Sequence, residues 1–448
     1  MPSVIARQFG RRPRRKPLWS SRDAFFTDLG IFLLGVAGAY SFNLVGALPG
    51  NEILMLPLLP LALLAKGSRA FRREYLLFYI LTGGWLLGTI VGDLYLGMPS
   101  VNRLKGVARV VFFAFDFMLL AILINNKARR RIVFALSIVV VMFIFSRDFR
   151  ADLLTEWKFG VSTSVTLLAL LVCSYYYAKQ KYRYCLVIYL VLVVLNLKFA
   201  FRSQMVVDLV ALVLTIPIFD GAANRSSSAV KVLKPILLLA MAGGAAFLAS
   251  QTIKYAAMQG FFSEDVADKF RTQSQGKLGV LFGGRPETLV AIQAIRDSPI
   301  VGHGSFATDQ RYVNLKADLL YENGYSEADE PEDLEGGIPT HSHLTAAWVE
   351  SGILGGVLWI YVLVLVIRAI QRITVVRLPL SPLYCYFLVN FVWDIIYSPF
   401  GSINRLWGAF FILLSLDLLR SPVKVVPSAL QRPKNLTPTR VVVRHRLA

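Results

Sequence analysis

Charge is scarce in this chain: Asp, Glu, Lys and Arg make up 17% of its 448 residues, against 55% apolar. Acidic side chains are scarcer than basic ones, 28 against 48, for a formal net charge of +20. Cysteine occurs three times and histidine four times. Cys173, Cys185 and Cys385 have no paired spacing and fall in apolar runs, so they point to packing rather than to a disulfide framework or a zinc site. There is no G-x-x-x-x-G-K-[ST] phosphate loop, no G-x-S-x-G elbow and no H-E-x-x-H helix. Also missing are a short internal repeat, a soluble second domain, and a small-residue cleavage site after the basic N-terminus of the kind a signal peptide carries.

What the chain does have is long apolar runs, with a mean hydropathy of +0.56. A soluble core of this size shows amphipathic stripes. These runs instead approach the ~20 residues that cross ~30 Å of hydrocarbon, where only helices satisfy their own backbone groups. The expected fold is all-α, a polytopic membrane bundle of about twelve transmembrane helices with one long periplasmic loop. The first six spans are Ala24–Val45, Ile53–Ala65, Tyr75–Leu96, Val110–Ile124, Ile132–Phe145 and Gly160–Ala178. The second six are Tyr184–Leu197, Met205–Phe219, Pro235–Ser250, Leu344–Ile367, Leu378–Tyr397 and Trp407–Leu419. Pro57 and Pro60 suggest that the second is broken or re-entrant.

Every second loop is basic, from Arg11–Lys16 through Lys66–Arg73, Lys127–Arg131 and Lys179–Arg183 to the C-terminal tail. The positive-inside rule then places both termini in the cytoplasm. The chain divides into a basic cytoplasmic N-terminus (1–23), helices (24–250), a periplasmic loop (251–340), further helices (341–420) and a basic tail (421–448). Topology accounts for much of the positive charge, so nucleic-acid binding is not needed.

The polar interval Gln251–Thr340 and the start of the next span hold His303, His341 and His343. Arg285, in Gly-Gly-Arg-Pro-Glu, sits where Pro286 and Glu287 suit a first helical turn and free N–H groups attract anions. Asp297-Ser298-Pro299 ends that helix. His341 is expected just outside the first turn of the following span, with His343 and Glu350 on one helical face. Arg103, Lys105, Arg109, Arg147, Arg150, Lys158 and Lys198 lie near outward helix ends, where they either snorkel to lipid headgroups or converge on an anionic ligand; Arg202, where two spans meet, needs protein, water or a ligand around its charge. Arg suits a phosphate because its planar fork makes two hydrogen bonds. Gly352 and Gly356 read as a close helix contact. Asp28, Asp93, Asp116, Asp394 and Asp417 scatter over five spans, which favours structural pairing over a proton relay. The acidic run Glu327–Glu335 with His-x-His could in principle supply metal ligands, but an acidic run in a loop reads more simply as a solvated face.

Two segments together resemble one family. GGRPETLVAIQAIRDSPIVGHGSF (Gly283–Phe306) is similar to the Gly-Arg…Asp-Ser-Pro…Gly-x-Gly block of the O-antigen ligase and polymerase-like membrane proteins. PTHSHLTAAWVESGILGG (Pro339–Gly356) resembles the His-bearing start of their next helix. The resemblance implies a metal-independent periplasmic glycosyltransferase of the bacterial inner membrane, without cofactor. Such an enzyme moves a glycan from an undecaprenyl-diphosphate carrier to an acceptor hydroxyl, of lipid A-core in ligases or of a second lipid-linked glycan in polymerases. By position it implies His341 and Arg285 as catalytic groups, with Arg202 beside the substrate; His343 and Glu350 join as substrate-side candidates. The chain departs from the pattern at Phe201-Arg202-Ser203, where relatives often have Ser-Arg-Gly, and at Ser342, where they often have Asn. His341, His343 or both thus remain candidates for the base. A transporter of lipid-linked glycans is the reading from another class; it favours repeats and midplane charges, whereas the polar residues here gather at one membrane face.

Overall fold

A computed structural model describes residues 19–44, 46–146, 153–199, 201–216, 255, 285–322 and 337–420. The fold is mostly helical. The chain opens with α1 (Trp19–Ala37), a small antiparallel hairpin (β1, Ser41–Asn43; β2, Ala47–Pro49) and α2 (Gly50–Lys66). Next come α3 (Leu76–Tyr95), α4 (Ser100–Ile124) and α5 (Ala128–Ser146). A short α6 (Leu153–Glu156) runs through a π-helical turn, Trp157–Val161, into α7 (Ser162–Ala178). Then follow α8 (Tyr182–Lys198), α9 (Arg202–Thr215), α10 (Pro286–Asp297), α11 (Gln310–Glu322), α12 (His343–Val375), α13 (Ser381–Tyr397) and α14 (Ser402–Arg420).

Among the described residues, five stretches are long and apolar enough to cross a membrane: Gly50–Arg69, Arg73–Tyr95, Ser100–Ile124, Trp157–Ala178 and His343–Val375. The outer surface agrees. Along α8, Leu186, Val187, Leu190, Val191 and Val194 form a stripe exposed by 41% to 61%. In water so large an apolar face is rare, whereas lipid requires it. The chain is a helical membrane protein.

Several expectations are refined. The ninth span, Pro235–Ser250, and the acidic run Glu327–Glu335 lie outside the described residues. The second span is not broken: α2 continues through Pro57 and Pro60, because in an apolar bundle the one lost N–H bond per proline is tolerated. The first span ends at Ala37, and the chain spends Ser41–Pro49 in a hairpin. The three cysteines are free and buried.

Packing converges on an aromatic core where Trp85 (α3), Phe113 (α4), Trp359 (α12) and Phe400 meet, with centroids 5.1–6.3 Å apart. Edge-to-face geometry dominates there, as ring quadrupoles favour. The five scattered carboxylates are each engaged locally. Asp28 meets Arg129 at 2.7 Å, and Asp417 meets Arg131 at 2.6 Å. Asp116 accepts from Asn51 at 3.4 Å, Asp394 from Asn390 at 2.9 Å, and Asp93 from the Ser305 amide at 2.6 Å.

With little hydrophobic drive between helices inside lipid, α3 and α12 are joined by close approach and hydroxyls. Thr89 Oγ1 and Ser351 Oγ are 2.9 Å apart, and the Trp85 indole donates to Ser351 at 3.2 Å. Gly88 makes room for this: a Cβ there would stand 2.9 Å from the Ser351 carbonyl and 3.0 Å from Leu354 Cβ. Gly88→Ala should therefore destabilise the protein by about 1–3 kcal/mol through overpacking, visible as a lowered thermal midpoint in detergent. An unchanged midpoint would refute this account of the α3–α12 contact.

Candidate functional site

Arg285 is the N-cap of α10, with φ −151° and ψ 58°, and Pro286 follows in the first turn. Proline fits there because its missing N–H would have no helical partner. The guanidinium donates to the carbonyl of Tyr397, the last residue of α13. It also lies over two rings of that helix, 5.3 Å from the Trp393 centroid and 5.1 Å from Tyr397. Burial pulls the pKa of Arg285 down, against the opposing pull of Glu287 and Tyr397. Glu287 itself pairs with Lys316 of α11 at 3.0 Å.

His341 lies two residues before α12, exposed, while Ser342 caps the helix. The Ser342 hydroxyl accepts from the Thr345 amide at 3.1 Å and donates to the Ile395 carbonyl of α13 at 2.8 Å. It satisfies one free amide of the helix start and pins that start to α13. The His341 pKa is lowered, first by desolvation; Glu287 opposes, and Arg285, Lys316 and Lys158 add to the lowering. Those same groups are its charged neighbours. The lowering favours the uncharged ring, the form that can accept a proton.

His343, expected on the substrate side, is walled off. It is 1% exposed, and its ring packs 4.9 Å from Trp359, 5.0 Å from Phe400 and 6.3 Å from Phe391. The two histidines differ in their place at the helix start: His341 precedes the Ser342 cap and is exposed, whereas His343 is the first residue of α12 and is buried. Glu350, expected on the His343 face, has another partner. The Glu350 carboxylate takes both guanidinium nitrogens of Arg109 (α4) in a two-pronged ion pair. Arg109 in turn lies 5.1 Å from the Phe306 ring. Arg202 is placed as the first residue of α9. Asp208, six residues further along the same helix, accepts from Asn196 at 2.8 Å and from Gln204 at 3.2 Å.

The device that joins α10 to α12 is a loop inserted into a broken helix. At Gly352 the α12 backbone leaves helical geometry, with φ 62° and ψ −155°. The His303 amide then donates to the Val349 carbonyl at 2.7 Å, and Gly304 to Glu350 at 3.1 Å. In return the Ile353 amide donates to the Ile300 carbonyl at 3.2 Å. Gly352 and Gly356 are thus not one close-contact pair: Gly352 is the break, and the Ile300 carbonyl occupies the space a Cβ would need. The same loop is fixed to α10 through His303 Nε2, which donates to the Ala294 carbonyl at 2.9 Å. Tyr312 of α11 stands 5.3 Å from that ring and donates to Asp297 at 2.6 Å.

Arg285 and His341 are thus brought to one end of the bundle with Glu287, Lys316 and Lys158, on two helix starts that share α13 as a support. Lys316 escaped the sequence reading, which took Glu287 only as a first-turn acid. The inserted loop escaped it too, although Gly302, Gly304 and Gly352 are three glycines in left-handed backbone. Chemically, the arrangement offers cations and helix N-termini to an anion, with an imidazole of lowered pKa beside them. Among the described residues, no group of three or more His, Cys, Asp or Glu is arranged to hold a metal ion.

Gly352→Ala should undock the loop, since the substitution combines a left-handed φ with a backbone collision; such strain costs about 1–3 kcal/mol. Amide hydrogen exchange at His303 and Gly304 should accelerate in the variant. Unaltered protection there would refute the inserted-loop description.

No protein-family model matches this sequence, and a search of curated proteins finds no match.

Proposed function

We propose that this protein is an O-antigen ligase-like glycosyltransferase, moving a glycan from an undecaprenyl-diphosphate carrier to an acceptor hydroxyl such as that of lipid A-core. The observation that carries this reading is the mounting of Arg285 and the residue after His341 on the same end of α13, with Glu287, Lys316 and Lys158 near enough to act on the imidazole. A lipid diphosphate is the anion whose tail stays in the bilayer while its headgroup reaches that end. Arg285 grips the diphosphate and offsets the charge that grows on the departing oxygen. His341 takes the proton of the acceptor hydroxyl as its oxygen bonds to the sugar's anomeric carbon. The bond from that carbon to the diphosphate breaks, so the donor carries its own energy and ATP has no role.

The accompanying topology is about twelve spans in the inner membrane, with both termini cytoplasmic and residues 251–340 periplasmic. Its support is the sorting of charge. Arg72 reaches Asn125 at 2.5 Å, Arg131 reaches Asp417, and Arg420 reaches Glu74 at 2.6 Å, all at the end opposite His341.

The direct test is transfer by purified protein from undecaprenyl-diphosphate glycan to lipid A-core, without ATP or added divalent metal. His341→Ala should lower the rate by about 10²–10⁴-fold, the usual worth of a general base. Lengthening of the lipid-linked glycan instead of transfer would favour a polymerase, and no reaction by folded wild type would sink the glycosyltransferase reading. A second outcome concerns pH. Because the His341 pKa is lowered, the acid limb of kcat/KM should fall below the ordinary histidine value of ~6.5. Arg285 contributes to that lowering, so in the residual activity of Arg285→Gln the limb should move to higher pH. A limb that stays in place would disconnect His341 from the titration.

A further inference from the structure

At the end of the bundle opposite His341, cations crowd around the last turn of α4. Arg69 donates to the Ile122 carbonyl at 3.5 Å, Arg130 donates to the Leu123 carbonyl, and Lys127 follows directly in the chain. Lys66, the last residue of α2, belongs to the same group, for it acts electrostatically on Lys127 together with Arg69 and Arg130. Arg129 lies alongside, its side chain 73% exposed. Asp28 of α1 meets two of these cations, Arg129 at 2.7 Å and Arg130 at 3.5 Å. Asp28 is also the carboxylate that opposes these cations at Lys127. Their mutual repulsion is felt at Lys127, whose pKa is pulled down chiefly by Arg130, then by burial, Arg69 and Lys66, with Asp28 opposing.

The surfaces leading away from this cluster are apolar and open. On α1, Phe25 is 57% exposed and Leu33 51%; on α2, Leu61 is 63% and Leu64 87%. These helices pack on each other and on α4 and α5, so the cations stand at the head of a lipid-facing surface. A concentration of positive charge directly above exposed leucine and phenylalanine matches an amphiphile with an anionic head and two apolar chains. It does not match a soluble anion, which has no use for the apolar flank.

We propose that the ends of α1, α2 and α5 bind an anionic phospholipid, its headgroup phosphate held by Lys66, Arg69, Lys127 and Arg129 and its acyl chains lying along α1 and α2. This site is independent of the glycosyltransferase reading and stands at the other end of the molecule. Phosphate at a cluster of this kind relieves the repulsion among the cations, and each basic residue strengthens the attraction of an anionic headgroup. Lys66 and Lys127 are the residues to alter, since both are exposed and neither belongs to an ion pair with Asp28.

The test is native mass spectrometry of the full-length protein, titrated in detergent with phosphatidylglycerol, phosphatidylcholine or inorganic phosphate. Phosphatidylglycerol should be retained about tenfold or more over phosphatidylcholine. Most of that preference should vanish in Lys66→Gln/Lys127→Gln and survive in Lys127→Arg. Equal retention of the two lipids by wild type would overturn the proposal whatever the variants do. So would an undiminished preference in the double variant, or displacement of the lipid by inorganic phosphate at the same concentration.

Discussion

Inside an apolar medium every backbone N–H and C=O needs a partner within the protein, and one break in a long helix is where that requirement shapes this molecule most. α12 spends a left-handed glycine at Gly352, and the Val349 and Glu350 carbonyls then bond to a loop instead of to the next helical turn. Unmet, each buried backbone group would cost about 1–3 kcal/mol. Meeting the need with the segment Ile300–Gly304 ties α10 to the interior of α12. The break therefore fixes the relation between the helix that starts at Arg285 and the helix that follows His341.

Charge obeys the same rule of local satisfaction. Glu52 is fully buried on α2 and pairs with Arg405 of α14 at 2.5 Å. Glu350 takes Arg109, and Asp417 takes Arg131. Removing one member of such a pair strands the other, a loss of about 3–5 kcal/mol where both are buried. These pairs join α2 to α14, α4 to α12 and α5 to α14, so they also specify which helices are neighbours. Near His341 the same economy holds: Lys316 takes Glu287, and Arg285 takes the Tyr397 carbonyl.

Much of the helical pattern was legible because uninterrupted apolar runs carry a strong signal, and α3, α4, α8 and α13 fall on segments read from hydropathy. Arg285 at a helix start was legible too, since Gly-Gly-Arg-Pro-Glu encodes that geometry locally. What failed was anything decided by contacts distant in sequence. Spacing alone put His343 and Glu350 on a common face, but it could not reveal that Trp359 and Phe400 enclose one while Arg109 claims the other. The prolines of α2 misled because proline is judged by its behaviour in water. Gly352 misled because a small residue in a span serves close packing and chain reversal equally well.

The far end of α13 supports both halves of the candidate site. Tyr397 holds the Arg285 guanidinium through its carbonyl and ring, and Ile395 holds the cap that immediately follows His341. A shared mount makes positional error common to both groups. When thermal motion or a change in bilayer thickness tilts α13, the cation and the imidazole are carried along together, and their separation is the quantity least disturbed.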